Sequence, residues 1–170
     1  MKRLYRYVGP HDLRRLLDQP TPRCCIERPH DVRAWLEQSH RPGTTLYQVT
    51  VTFIIDGDER LWIADQRSEH VVCARGQAIY AAGEITFWLH QTQVDICEIS
   101  NQSTGYCPEP GSWAVVTAVL ERIGLPHPAT WTVAYLFRRC QACETINLIK
   151  DDWFECAVCG VPLSEHWNFE

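Results

Sequence analysis

The sequence LYQVTVTFIIDGDE, residues 46–59, joins a long strand signal to a turn signal, and it sets the expected fold. Residues 46–55 are mostly β-branched and aromatic, and such residues favour a β-strand. Asp56-Gly57 follows directly, and Asp-Gly is a strong short-range signal for a hairpin. The chain is therefore predicted to enter an antiparallel sheet here and to return over residues 60–64.

More segments with a strand pattern follow at short intervals. With the first two, they give five predicted strands, at residues 46–55, 60–64, 70–74, 78–89 and 94–99. The small residues 81–83, Ala-Ala-Gly, interrupt the fourth strand and indicate a bulge or a close backbone approach. Strands joined by short turns predict an antiparallel meander.

Helical periodicity precedes the sheet. Residues 12–17 and 31–39 carry apolar residues at helical spacing, and Asp31 can cap the second helix. We therefore expect an N-terminal helical segment over residues 1–45.

One clear helix follows the sheet. Ser112 stands at a capping position, an apolar face runs to Ile123, and Gly124 is a typical C-terminal stop. Residues 131–137 return to a strand pattern. The prediction is an α+β core over residues 46–137: a mostly antiparallel meander with helices on one side.

Four cysteines near the C-terminus form two Cys-x-x-Cys pairs. Twelve residues separate the pair Cys140 and Cys143 from the pair Cys156 and Cys159. This spacing is typical of a zinc site, because a structural zinc ion takes four tetrahedral ligands and thiolates bind it well. Two disulfides or a redox pair are the alternatives, although a redox motif needs only one pair. The pattern predicts one structural Zn2+ ion.

The same segment resembles zinc ribbons of the four-cysteine type, over roughly residues 138–160. The resemblance implies a C-terminal ribbon, with short strands expected at residues 146–149 and 153–154. Trp167 and Phe169 are expected to pack the tail, so that residues 138–170 form a zinc ribbon and tail on the core.

A second, partial resemblance covers residues 70–108. The runs AAGE at 81–84 and STGYCP at 103–108 are similar to a β-rich module of bacterial toxin-associated proteins and plant IQ-motif proteins. That module has an Ala-Gly-Glu-like strand followed by Ser-Gly-His-Tyr-x-Pro. This chain has Thr104 and Gly105 where the module has Gly and His. The resemblance implies no particular activity.

Two polar segments are candidates for a catalytic or ligand-binding site. In the first, Arg67 and Glu69 are candidate ligand-binding residues and His70 is a candidate acid or base, because histidine titrates near neutral pH. The alternative is a solvated turn with a contact between His70 and Glu69. Glu84 is a further catalytic candidate, since a carboxylate in an apolar strand must face solvent or find a partner.

The second segment is the polar loop that follows the predicted fifth strand. Asn101 and Ser103 are candidate ligand-binding residues, and Tyr106 is a candidate catalytic residue. Cys107 becomes a candidate nucleophile if a base such as His70 lies beside it. The alternative is that this loop only satisfies backbone groups in a tight turn. A curl of the sheet would bring His70, Glu84, Asn101 and Tyr106 into one neighbourhood.

Composition limits the location and the partners. The chain has 170 residues, nine cysteines and a net charge of -5. No apolar run approaches the roughly 20 residues of a membrane span, and no apolar segment follows the basic N-terminus. The odd number of cysteines favours a reducing cytoplasm. Residues 138–170 hold three basic and six acidic side chains, which disfavours nucleic acid as a partner.

Two functional classes follow. A protein-interaction or regulatory module of the immunity type, with a protein partner, is favoured because catalytic triads, P-loops and dinucleotide fingerprints are missing. The alternative is a small hydrolase or group transferase, with its site between residues 67–70 and 101–107.

Overall fold

A computed structural model provides the coordinates of the chain. It describes residues 2–18, 21–39, 48–90 and 93–169. The start of the predicted first strand, residues 46–47, and the middle of the predicted turn at residues 90–93 lie outside these ranges.

In the described ranges, strands form one five-stranded antiparallel sheet and one two-stranded sheet. The larger sheet has the order β1-β3-β2-β4-β5. Its strands are β1 Arg23–Ile26, β2 Gln48–Asp56, β3 Leu61–Asp65, β4 Ile79–Leu89 and β5 Val94–Ser100. The smaller sheet pairs β6 Leu136–Arg139 with β7 Ile146–Ile149. The predicted α+β class with a mostly antiparallel sheet is confirmed.

Helices are fewer than strands in the part of the chain that the structure describes. They are α1 Pro29–Ser39, α2 His70–Cys73 and α3 Trp113–Ile123, with 3-10 helices at His11–Asp18 and Pro110–Ser112. Gly124 ends α3 in the left-handed conformation, at φ 79°, as predicted. None of the helices in the described ranges has the length and apolar character that a bilayer crossing requires.

The predicted hairpin between β2 and β3 is present. The carboxylate of Asp56 accepts hydrogen bonds from the backbone N–H groups of Asp58 and Arg60, each at 2.9 Å. Its other oxygen accepts the indole N–H of Trp62 at 2.7 Å. One aspartate therefore closes the turn and fixes the strand that returns from it.

Apolar residues cover both faces of the large sheet. On one face, α1 and α3 pack on Phe53, Ile85 and other strand residues to form the main core. On the other face, Ile54 and Ala82 lie under α2 and residues near the N-terminus, including Tyr5. The expectation of helices on one side only is wrong, because the second face is also apolar and must be covered.

The predicted strand at residues 70–74 is wrong. His70–Cys73 form α2, a single helical turn in which the carbonyl of His70 accepts the N–H of Ala74 at 2.8 Å. Val71 and Val72 are buried on the second face of the sheet. A run of four apolar residues does not distinguish a strand from a buried helical turn. The strand expected to precede β4 in the meander is therefore absent from residues 70–74, which the structure describes, and β4 pairs with β2 on one side and β5 on the other.

The expected helical segment at residues 1–45 also contains strand structure. β1, Arg23–Ile26, pairs antiparallel with β3 at the edge of the large sheet. Tyr5 makes an isolated antiparallel bridge to Ile79. Neither segment is long enough to show strand alternation in the sequence.

The predicted strands around the cysteine pairs are partly wrong. The strand expected at residues 131–137 begins only at Leu136, where it pairs with β7. Of its earlier residues, Val133 makes only an isolated bridge to Ser100 of the large sheet. Before it, Thr132 donates and accepts hydrogen bonds with Ile99 of β5. Residues 153–154 form no strand beside β7. The carbonyl of Phe154 instead accepts the N–H of Leu163 at 2.9 Å, next to an isolated bridge between Glu155 and Pro162.

Candidate metal centre

The four cysteines of the two Cys-x-x-Cys pairs converge on one point. Their Sγ atoms all lie within 4.8 Å of one another, with Cys140 and Cys159 at 3.5 Å and Cys143 and Cys156 at 3.6 Å. Four thiolates at Zn–S bonds of about 2.3 Å define a tetrahedron with edges of about 3.8 Å. The spacing of the sulfurs therefore fits one tetrahedral metal ion.

Two turns with the same backbone pattern position the sulfurs. In the first, the N–H of Glu144 donates to the carbonyl of Cys140 at 2.9 Å; in the second, Gly160 donates to Cys156 at the same distance. In each turn, the N–H of the first cysteine also donates to the carbonyl of the residue five positions later, Thr145 for Cys140 and Val161 for Cys156. The pairs are therefore held by two equivalent turns that point their sulfurs at each other.

Hydrogen bonds around the sulfurs shift the pKa values of Cys143, Cys156 and Cys159 in different directions. The N–H of Val158 and the amide of Asn147 lie 3.5 Å and 3.6 Å from Sγ of Cys156. Backbone hydrogen bonds from Cys159 and Val158 lower the pKa of Cys156 to about 6. Hydrogen bonds from Thr145 lower the pKa of Cys143. A hydrogen bond from Val161 lowers the pKa of Cys159, but hydrogen bonds with the other cysteine thiols outweigh it and raise this pKa to about 12. Metal ligation requires deprotonated thiols, so the case for a metal rests on the positions of the sulfurs and not on these shifts.

Residues 136–163, the cysteine unit, have a small apolar core of their own. Cys140, Cys156, Ile149 and Leu163 are buried together, and Phe154 packs against them. So few buried side chains stabilise a fold only weakly. A crosslink through the four sulfurs would supply the missing stability.

The cysteine unit is tied to the large sheet and to the C-terminal tail. The buried guanidinium of Arg138 pairs with the carboxylate of Glu109 at 2.7 Å and donates to the carbonyl of Glu165 at 2.8 Å. The indole of Trp167 donates to the carbonyl of Cys107 at 2.8 Å. The tail therefore contacts both the unit and the loop that follows β5.

Two of the candidate catalytic residues, His70 and Tyr106, have polar atoms that bond backbone groups. A ring nitrogen of His70 lies 2.9 Å from the carbonyl of Gly83, and burial lowers the pKa of this imidazole. The hydroxyl of Tyr106 donates to the carbonyl of Gln77 at 2.9 Å, and burial raises its pKa. Glu84 follows Gly83 on β4 and is half-buried.

The side chain of Asn101 hydrogen-bonds two separate segments of the chain. Its amide donates to the carbonyls of Pro108 and Tyr135, both at 2.8 Å, and its oxygen accepts the N–H of Tyr135 at 2.6 Å. The side chain is fully buried and all of its bonds go to backbone. In this structure, Asn101 joins the loop after β5 to the chain that leads into β6.

The remaining candidates divide between core and surface. Ser103 is buried, and its backbone carbonyl accepts the N–H of Cys107 at 2.7 Å. Burial raises the pKa of the Cys107 thiol to about 12, so little reactive thiolate forms at neutral pH. Arg67 and Glu69 are exposed, and the carbonyl of Glu69 begins α2. His70 and Asn101 both lie against Gly83 of β4, next to Glu84, but the polar atoms of His70 and Asn101 bond different backbone groups.

Sequence reasoning missed the residues that support the cysteine cluster from outside it. Asn147 donates toward Cys156 and accepts the N–H of Ala157 at 3.0 Å, thereby linking β7 to the second turn. Asn168 binds the backbone of Arg139. No local pattern marks either asparagine, because each is defined by a neighbour that is distant in sequence.

Comparison with known proteins finds no matching family model, and neither a curated protein nor a solved structure with significant similarity. The resemblances to zinc ribbons and to the β-rich module therefore stay predictions.

Proposed function

We propose that Cys140, Cys143, Cys156 and Cys159 bind one structural Zn2+ ion and that the cysteine unit is a zinc ribbon. The observation that supports this is the convergence of four sulfurs at tetrahedral spacing. A closed site of four thiolates leaves no coordination position for water or substrate. The metal would thus stabilise the fold without taking part in a reaction.

We infer that the chain works as a protein-interaction or regulatory module of the immunity type. Half of the large hydrophobic side chains that are exposed in the described residues belong to the cysteine unit: Leu148, Trp153, Val158 and Val161. Apolar side chains gathered on one small unit are a frequent mark of a binding surface. The buried thiols Cys73 and Cys107 suit a reducing compartment such as the cytoplasm.

Native mass spectrometry of the purified chain tests the metal. We expect one zinc ion per chain, which is lost when Cys156 is replaced by serine. Cys97→Ser is the matched control, because Cys97 lies on β5 outside the cluster and should leave the zinc content unchanged. A chain that carries no zinc as purified, with a melting temperature that chelators do not change, would contradict the proposal.

A further inference from the structure

The outer edge of β6 is occupied by the protein itself. The side chain of Asn168 accepts the N–H of Arg139 at 2.9 Å and donates to its carbonyl at 2.7 Å. The guanidinium of Arg138 donates to the carbonyl of Phe137 at 2.6 Å. The tail and Arg138 thus block strand pairing on this side of the two-stranded sheet.

The outer edge of β7 is different. The bond from the N–H of Cys140 to the carbonyl of Thr145 fixes which residue pairs exchange hydrogen bonds across the two strands. By antiparallel alternation, the backbone groups of Ile146 and Leu148 then point away from β6. Among the described residues, no hydrogen-bond partner is found for these groups.

A groove runs along this open edge. It has a volume of about 790 Å³, and its lining includes Leu148, Trp153 and Val158. Trp153 and Val158 are each 68% exposed. Tryptophan is enriched among the residues that contribute most of the binding energy at protein interfaces, and Trp153 is largely uncovered here. The groove therefore offers backbone groups and apolar contacts side by side.

The charge around the groove is acidic. Asp151 and Glu155 line it, and Glu144 and Asp152 lie exposed beside them, whereas Lys150 is the one basic side chain in its lining. The arginines of β6 do not offset this charge. Arg138 is buried against Glu109, and Arg139 donates to the carbonyl of Val8 and lies over the ring of Phe169. A basic partner would gain favourable electrostatics here, and an acidic partner would be repelled.

We propose that the open edge of β7 binds an extended, basic segment of a partner protein, which adds a strand to the two-stranded sheet. Alternate apolar residues of that segment contact Trp153 and Val158, and its lysines or arginines face Asp151 and Glu155. This inference rests on the proposed role as an interaction module, and it names the surface and the chemistry of the partner. A second copy of this chain is a poorer occupant because two acidic grooves repel each other.

Panning of a random peptide library displayed on phage against the intact, zinc-loaded protein tests the proposal. We expect the enriched peptides to alternate aliphatic and basic residues. Their affinity should fall about tenfold or more for Trp153→Ala, as for a central interface residue. Trp88→Ala is the matched control, since Trp88 is also exposed but lies on β4 of the large sheet. Enriched peptides that are acidic, or an equal loss with Trp88→Ala, would overturn the proposal.

Two further measurements separate strand addition from other modes of binding. Methylation of alternate backbone amides in an enriched peptide should abolish binding in one register and spare it in the other, because only alternate amides face β7. Asp151→Asn together with Glu155→Gln should weaken binding and reduce its dependence on salt. If the peptide still binds whichever set of alternate amides is methylated, it does not bind as a strand added to β7. A dimer that Trp153→Ala dissociates would identify a second copy of the chain as the occupant.

The outcomes also separate this inference from the proposed function. Zinc content is measured first for every variant, so a failed metal site is seen directly. If peptides bind the zinc-loaded chain with an affinity that neither Trp153→Ala nor the charge variants change, the chain is still an interaction module but the groove at β7 is not its binding site. The absence of any enriched peptide counts against the groove, while the zinc result stands on its own.

Discussion

At the scale of single residues, the two turns of the cysteine cluster differ in one informative way. Both use a left-handed residue directly after the second cysteine, at φ 60° for Glu144 and φ 71° for Gly160. Glycine adopts this conformation without strain, whereas a residue with a Cβ loses about 1 kcal/mol or more. The backbone of the first turn is therefore strained at Glu144, whereas that of the second turn is unstrained at Gly160.

This difference predicts opposite effects of two substitutions. Glu144→Gly should stabilise the zinc-loaded protein by about 0.5 kcal/mol, because relief of strain outweighs the greater flexibility of glycine in the unfolded chain. Gly160→Ala should destabilise it by about 1 kcal/mol. Urea unfolding at saturating zinc measures both.

Glu144→Gln serves as the control for charge, since it keeps the Cβ and removes the carboxylate. It should change stability less than Glu144→Gly does. A Glu144→Gly variant that is less stable than the original chain would mean that the side chain of Glu144 has a stabilising contact that outweighs its backbone strain.

At the scale of elements, the close approach of β4 to the end of β5 depends on Gly83. A Cβ added to this residue would overlap with the carbonyl oxygen of Ser100 and lie 3.0 Å from Cα of Asn101. Both neighbours are backbone, so no side chain can rotate to make room. Asn101, which joins the loop to the chain before β6, would have to move as well.

Gly83→Ala should therefore destabilise the protein by about 3 kcal/mol or more, as steric overlap in a well-packed core does. Gly57→Ala is the matched control because an added Cβ there meets no atom within 4 Å. It should change stability by no more than about 0.5 kcal/mol. Tryptophan fluorescence during urea unfolding compares the two variants, and equal stabilities would refute the close approach.

At the scale of the whole molecule, the stability of the cysteine unit and that of the large sheet have different sources. The sheet is stabilised by a large apolar cluster in which many side chains of β2, β4, α1 and α3 are fully buried. The cysteine unit has a few buried residues and, on our proposal, a metal. Regions with few buried contacts open at lower free energy than the core does.

Removal of zinc should therefore unfold the molecule in part. After addition of a strong chelator, we expect amide hydrogen exchange to accelerate in β6, β7 and the tail, while β2 and β4 stay protected. Mass spectrometry of peptide fragments, with and without chelator, measures this. Equal loss of protection in β2 and β7 would show that the two parts unfold as one unit.

Several elements could be predicted because their signals are local. The Asp56-Gly57 turn, the C-terminal stop at Gly124 and the spacing of the cysteine pairs each depend on residues a few positions apart. Short-range geometry then limits the chain to few conformations, so the hairpin and the end of α3 are where the sequence predicts them. The direction of the two sulfurs within each pair follows from the same local spacing, whereas the meeting of the two pairs also depends on the β6–β7 hairpin and Asn147.

Local sequence patterns are thus enough to predict the class of the fold and the four sulfur atoms that can hold a metal. Long-range packing sets the helical turn at residues 70–73, since an apolar run takes the conformation that covers the exposed face of the sheet. Long-range packing also buries Asn101 and Tyr106 and bonds their side chains to backbone groups. It blocks the outer edge of β6 with the tail and leaves that of β7 open. These outcomes depend on contacts between residues far apart in the chain, and no local pattern encodes such contacts.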